Sequence, residues 1–228
     1  MTNVINVDVE SWKRKEIFER YKDYDDPFFN LCTQLDITNF VQHTKSRRYP
    51  FSLSLVYLSL RCANVHRSFR YRISDNQVVL LDEVHAAMTV LHEDDYFDYC
   101  HFDYNSDFFE FLNSASHEMD HRNQPNSTGH QRIQNQNNII HYSMLPWINF
   151  SNLSHAHDYK RTDSTPKFVF GKYVELNGCY LLPLSIEVNH ALMDGVHVAR
   201  YLQDFQYDLD HPEISMDLLT MNNQRVVG

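Results

Sequence analysis

The sequence predicts an α/β or α+β protein built around one β-sheet. Three observations carry that reading. Segments with helical spacing alternate with strand-like apolar runs, three such runs follow one another in the last part of the chain, and an amphipathic helix follows them. With 228 residues, 43% of them hydrophobic and 14% aromatic, the chain can bury one sizeable core, and a single domain over 1–228 is expected.

Taken in order, "SWKRKEIFERYKDY" opens as a helix, with Ser11 as N-cap candidate and Trp12, Ile17, Phe18 and Tyr21 near a helical repeat. "LCTQLDIT" (31–38) alternates as a strand does and leads into "TNFVQHTKS", a short helix. After Pro50, "PFSLSLVYLSLRCANVH" is long and apolar enough for a buried helix. From Arg70, "RYRISDNQVVLLDEVHAAMTVLH" predicts strands around a polar turn at Ser74–Gln77. The acidic, aromatic stretch 93–112 is expected to be loop, then helix. Residues 113–138 are polar and predict a helix tail and a surface loop. The three late strand runs are "IIHYSMLPWINF", "KFVFGKYVEL" and "CYLLPLSIEVNH", and the helix after them is "GVHVARYLQDFQYDL".

Composition removes several function classes. A formal charge of −10 argues against nucleic acid, whose phosphates need clustered lysine and arginine. Cys32, Cys62, Cys100 and Cys179 form no CxxC pair, which suits reduced thiols in a cytosolic protein. The first residues lack the apolar core of a signal peptide, and no segment approaches a membrane span, so a cytoplasmic location is expected. Fourteen histidines invite a metal reading. His155 and His157 in "SHAHD" share a strand face, yet spacing supplies no third ligand, so two solvated side chains are expected and no metal.

His190 stands apart. It ends the apolar run "LLPLSIEV" and precedes Asp194-Gly195, where a strand stops and a helix starts. Reactive groups meet substrate at such strand ends. Spacing alone leaves two readings open, a catalytic base or a hydrogen-bonded core imidazole.

The segment His190-Ala-Leu-Met-Asp194-Gly195 resembles the HxxxDG motif of coenzyme A-dependent acyltransferases. Longer stretches extend the likeness across nearly the whole chain. "WKRKEIFERY" (12–21), "LDIT" (35–38), "NVHRSFR" (64–70), "MTVLHED" (88–94), "SMLPWINF" (143–150), "GKY" (171–173) and "LLPLSIEVNHALMDGVHVAR" (181–200) follow in family order. Together they resemble the type-A, trimeric chloramphenicol acetyltransferases.

That resemblance implies a two-layer sandwich of helices on a mixed sheet, and a homotrimer whose sites lie between subunits. It implies transfer of an acetyl group from acetyl-coenzyme A, the co-substrate, to the 3-hydroxyl of chloramphenicol, without metal or acyl-enzyme. His190 would be the general base, a role that suits an imidazole of ordinary pKa about 6.5. Ser143 would donate to the tetrahedral oxyanion. Arg14 and Asp194 would brace the catalytic loop, Trp147 and Tyr173 would line the coenzyme channel, and Tyr21 and Phe97 would contact the acceptor.

The sequence departs from the family pattern near the site. Asn189 replaces the first histidine of a pair, and Val169 a threonine that helps hold a water. Tyr99 replaces a small residue, while Leu153 and His155 stand where the family is more aromatic and apolar. These changes keep two alternatives in view: the same chemistry on another small hydroxyl acceptor, or a binding or vestigial protein with little turnover.

Overall fold

A computed structural model describes residues 3–92, 95–121, 136–158 and 163–218. The chain order is β1 (Val4–Asn6), α1 (Lys15–Tyr21), β2 (Phe28–Asp36), α2 (Thr38–Arg47), α3 (Phe51–Val65), β3 (Tyr71–Ser74), β4 (Gln77–Leu81), β5 (His85–Leu91), β6 (Phe97–Phe102), α4 (Phe108–His121), β7 (Ile139–Leu145), β8 (Lys167–Gly171), β9 (Val174–Leu176), β10 (Cys179–Asn189) and α5 (Gly195–Asp210). The main sheet runs β2-β10-β8-β7-β5-β6, with β9 paired to the start of β10. It is mixed, as expected: β5–β7 and β7–β8 are parallel, the other pairs antiparallel. A small antiparallel sheet, β1-β4-β3, lies apart from it.

Side chains alternate across a strand, so β10 splits its residues between two environments. Leu182, Leu184, Ile186 and Val188 join the main core with Leu55, Leu58, Tyr201 and Phe205 of α3 and α5. Their neighbours Ser185, Glu187 and Asn189 take the other face, and register places Ser185 beside Val169 of β8 and Cys32 of β2. Helices and sheet are also tied by polar contacts inside the core. Ser59 Oγ of α3 lies 3.0 Å from Tyr142 Oη of β7 and 2.7 Å from Tyr201 Oη of α5, so three buried hydroxyls satisfy one another.

Arg72 of β3 is fully buried and donates to the carbonyls of Asn137 (2.6 Å), Phe69 (2.9 Å), Tyr71 (2.7 Å) and Ile139 (2.7 Å). Burial pulls its pKa down to about 9, still above neutral, and the charge-assisted bonds offset the desolvation. The small sheet is thereby fastened to the entry of β7.

Several boundaries differ from the sequence reading. Ser11 is not the N-cap of α1; its hydroxyl donates to Asp8 Oδ2 at 2.8 Å in a preceding turn, and Arg14 occupies the cap position. Strand β2 starts at Phe28 because Phe28, Phe29 and Asn30 find partners in Asn189, Val188 and Glu187. The stretch expected to be loop holds β6, whose Asp98, Cys100 and Phe102 are buried while Phe97, Tyr99 and His101 point the other way. Its acidic residues hid a strand alternation. Helix α4 runs to His121, and residues 122–135 of the expected loop lie outside the described residues. The run "KFVFGKYVEL" divides at Lys172-Tyr173 into β8 and β9. The predicted turn at Ser74–Gln77 is present, with Asp75 and Asn76 at φ 50° and 59°, the pair of left-handed residues that a two-residue hairpin of type I′ needs.

Candidate active site

The end of β10 and the start of α5 hold the first cluster. His190 follows the last strand residue; its backbone N–H donates to Pro27 O at 2.7 Å, tying the turn to the segment before β2. Asp194 takes the extended backbone of an N-cap and α5 begins at Gly195, a standard use of aspartate at the exposed N–H groups of a helix start. Its own N–H donates to His197 Nδ1 at 2.9 Å.

Arg14 grips this turn from outside. Its Nη1 and Nη2 donate to the two oxygens of Asp194, the second at 3.0 Å, and Nη2 also reaches His190 O at 3.2 Å. The guanidinium holds the Asp194 carboxyl below the usual carboxylate range, against desolvation that would raise it. A forked donor on both oxygens fixes orientation as well as charge.

The His190 ring contacts two aromatic rings. Tyr21 stacks on it at 4.4 Å and 6°, and Phe29 lies tilted at 4.8 Å. Nδ1 is buried, 3.3 Å from Asp194 Oδ1 at an angle that makes no hydrogen bond. One third of the side chain is exposed, which leaves Nε2 as the nitrogen an acceptor can reach. Of the sequence candidates, His190, Asp194, Arg14 and Tyr21 are thus brought together.

A second cluster lies at the middle of the sheet. Ser143 of β7 stands in register with Val169 on one side; on the other lies Thr89, one residue past the last β5–β7 pair, Met88 with Tyr142, and Thr89 pairs with Tyr99 of β6. Thr89 Oγ1 donates to Ser143 Oγ at 3.0 Å, leaving the serine proton free to be donated elsewhere. Tyr99 sits in the same row, against Phe97 at 5.8 Å and His141 at 6.4 Å. Burial raises the Tyr99 phenol and pushes the His141 imidazole down to about 4, so both stay neutral near pH 7. Phe97 is 52% exposed.

Tyr173 lines a cavity of about 400 Å³ at the far end of β7 and β8, together with Phe51, Met144, Pro146, Gly171 and Leu182. Trp147 is in the adjoining turn, 62% exposed. Gly171 makes that turn possible. A Cβ there would lie 2.6 Å from Pro183 Cγ and 2.9 Å from Ile148 O, while Lys172 N donates to that same carbonyl at 2.8 Å.

His155 and His157 correct the expectation of solvated side chains. His155 Nδ1 lies 3.1 Å from Glu187 Oε2, His157 Nε2 3.3 Å from Oε1, and Lys167 Nζ also 3.3 Å from Oε1. Burial alone would raise the Glu187 carboxyl, but His155, Lys167 and His157 outweigh it and hold it down to about 2. Leu153 is half-buried just before them. Asn189 turns its amide to the loop, Nδ2 donating to Asp163 O at 3.2 Å and Oδ1 accepting from Ala191 N at 2.9 Å, so it closes the turn before the catalytic candidate.

Within one chain the two clusters do not meet. Ser143 is two strands across from β10 and four positions along from Asn189, which at about 4.8 Å per strand and about 3.3 Å per residue separates Ser143 from Asn189 by roughly 16 Å. Sequence reasoning missed Thr89, Phe29 and Glu187. Only the alternation of their strands, which puts each on the face of a named candidate, could have found them.

The fold is shared with solved acetyltransferases. A solved chloramphenicol acetyltransferase superposes with a TM-score of 0.82 at 24% identity, over 92% of this chain and 100% of that one. A dihydrolipoamide acetyltransferase of Azotobacter vinelandii gives 0.62 at 14% identity, over 87% of each chain. Sequence goes further. A chloramphenicol acetyltransferase of Klebsiella sp is 30% identical over 211 residues, 92% of this chain and 95% of the relative. One from Campylobacter coli is 32% identical over 206 residues, 88% and 95% of the two. Residues 2–206 match the model of the family described as chloramphenicol acetyltransferase, and the chain belongs to that family.

Proposed function

We propose that this chain is an acetyl-coenzyme A-dependent O-acetyltransferase that acetylates the 3-hydroxyl of chloramphenicol and so confers resistance to it. The observation that carries this reading is the His190 ring, held by Tyr21 and Phe29 on a turn gripped by Arg14, with Nε2 left accessible. Family membership supplies the substrates.

His190 Nε2 takes the acceptor's hydroxyl proton as that oxygen attacks the thioester carbonyl; the tetrahedral intermediate then expels the coenzyme thiolate, which recovers the proton from the imidazolium. Ser143 donates to the oxyanion, and Thr89, donating to Ser143, turns its proton outward. Arg14 and Asp194 brace the loop. Trp147 and Tyr173 take the coenzyme along the 400 Å³ cavity. Tyr21, Phe97, Tyr99 and Leu153 surround the acceptor. No metal is required.

The separation of His190 from Ser143 supports sites shared between chains. A second copy, in a homotrimer, would bring its Ser143 row to the His190 of its neighbour. Exposed Phe97 and Trp147 fit that arrangement. Among the described residues no helix is long and apolar enough to cross a membrane, and a cytoplasmic enzyme is the reading we adopt.

Thiol release from acetyl-coenzyme A, measured with and without chloramphenicol, tests the proposal; release that chloramphenicol does not stimulate rejects that acceptor. The ion cluster of Glu187, His155 and His157 favours a second reading, the same transfer to another small hydroxyl compound bearing a polar group. The same assay with other hydroxyl acceptors distinguishes the two.

A further inference from the structure

A second cavity, of about 320 Å³, lies beside the Arg14–Asp194 brace. Three arginines line it, Arg14 ahead of α1, Arg67 in the short turn between α3 and β3, and Arg200 in α5, along with His66 and His197. Among the described residues no acidic side chain lines it, although the chain carries 30 Asp and Glu against 20 Lys and Arg. Positive charge is concentrated here against the overall balance.

The charges are unequally committed. Arg14 is taken by Asp194, and His66 Nε2 lies 2.9 Å from Asp204. Arg67 and Arg200 are exposed and have no carboxylate partner among the described residues; Arg67 lies 5.8 Å over the Tyr71 ring. The positive field reaches His197, whose pKa is lowered by burial first and then by Arg14, with Arg200 contributing and Asp194 opposing.

We infer that this cavity is an anion site and that its ligand is a phosphate monoester. Two uncommitted guanidinium groups on separate elements offer the forked donors that suit phosphate oxygens, and the Ser68 hydroxyl adds a neutral donor in the same wall. The volume equals about ten waters at roughly 30 Å³ each, more room than the anion alone fills. Trp12 and Tyr71, with ring centres 5.1 Å apart, supply an aromatic wall for the organic substituent.

The site is separate from the coenzyme cavity, which is lined by other residues at the ends of β7 and β8. It shares Arg14 and His197 with the turn that carries His190, so its occupancy is felt at that turn. A bound anion raises the proton affinity of His197 by offsetting the neighbouring arginines.

Isothermal titration of the full-length protein with inorganic phosphate and with phenyl phosphate tests this. Saturable binding is expected, tighter for phenyl phosphate. The Arg67→Gln/Arg200→Gln variant should bind at least roughly tenfold more weakly, as loss of one charge-assisted hydrogen bond already predicts. Both positions are exposed, so its melting temperature should match wild type, and each single variant should show part of the loss. An upward shift of the His197 titration in NMR on adding phenyl phosphate is the second readout. Absence of saturable binding, or unchanged binding in the double and single variants, overturns the site. Equal affinity for the two probes overturns the monoester assignment.

Discussion

At the scale of single residues, the proposed base His190 sits at a strand end with a third of its side chain exposed. Its ring is fixed by Tyr21 and Phe29 and its backbone by Pro27 and Arg14, so the side chain contributes little to the core. His190→Ala is therefore expected to remove nearly all acetyl transfer while the melting temperature changes little; a variant retaining a tenth of wild-type turnover would assign the base elsewhere. Ser143 needs its partner. With Val169 offering no hydroxyl on one side, Thr89 alone orients it among the flanking residues of that row. Thr89→Val should lower kcat by roughly tenfold with KM nearly unchanged, Thr89→Ser should restore it, and Thr89→Val should add little in a Ser143→Ala background. An equal loss in both backgrounds would mean that Thr89 does not act through Ser143. His190 and Ser143 were candidates in the sequence because stretches that resemble the family mark them. Thr89 was not, because only cross-strand pairing places it beside the serine.

At the scale of elements, the turn between β10 and α5 depends on one ion pair. Arg14→Ala or Asp194→Ala strands a partly buried charge, and each should cost about 3 kcal/mol or less, since Asp194 is a third exposed. The double variant should lose less than the sum, read from urea unfolding; strictly additive losses would deny the coupling. Glu187 on β10 behaves differently. Its folded carboxyl sits at about 2 against an ordinary 4.5, so it contributes stability above about pH 4.5 that is lost as pH falls toward 2. Glu187→Gln should then be less stable than wild type at pH 6 by on the order of 2–3 kcal/mol, and the gap should close between pH 4.5 and 2. A gap that persists at pH 2 would place the stabilisation outside this carboxylate. The helices were legible from their apolar stripes, and β10 from an apolar run of β-sheet composition. Strand β6 was not, since Asp98 is buried where a core residue was sought and Phe97 is exposed. The proposed shared site would give that inversion a reason, since Phe97 faces outward in a row the single chain leaves open.

For the whole molecule, the decisive quantity is the roughly 16 Å that separates the end of β10 from Ser143 within one chain. Sheet register fixes both ends of that gap, and under the proposed mechanism base and oxyanion donor come from different copies. Family resemblance implied a trimer, and periodicity and composition carry no sign of it; the register is the observation that favours the proposed shared site. Its consequence is complementation. Neither His190→Ala nor Ser143→Ala should be active alone, yet each chain keeps the residue that the other lacks. When equal amounts are denatured together and refolded, or coexpressed, a given site takes its histidine from one chain and its serine from a neighbour. In a ring of heterologous contacts the two choices are independent, so about one half times one half, or about a quarter, of sites hold both intact groups. The mixture should recover about a quarter of wild-type turnover per site, while the two variants folded separately and mixed without exchange should recover none. If each site were built within one chain, every site in the mixture would lack one group. Activity that stays at the level of the single variants after verified chain exchange would therefore overturn the shared site.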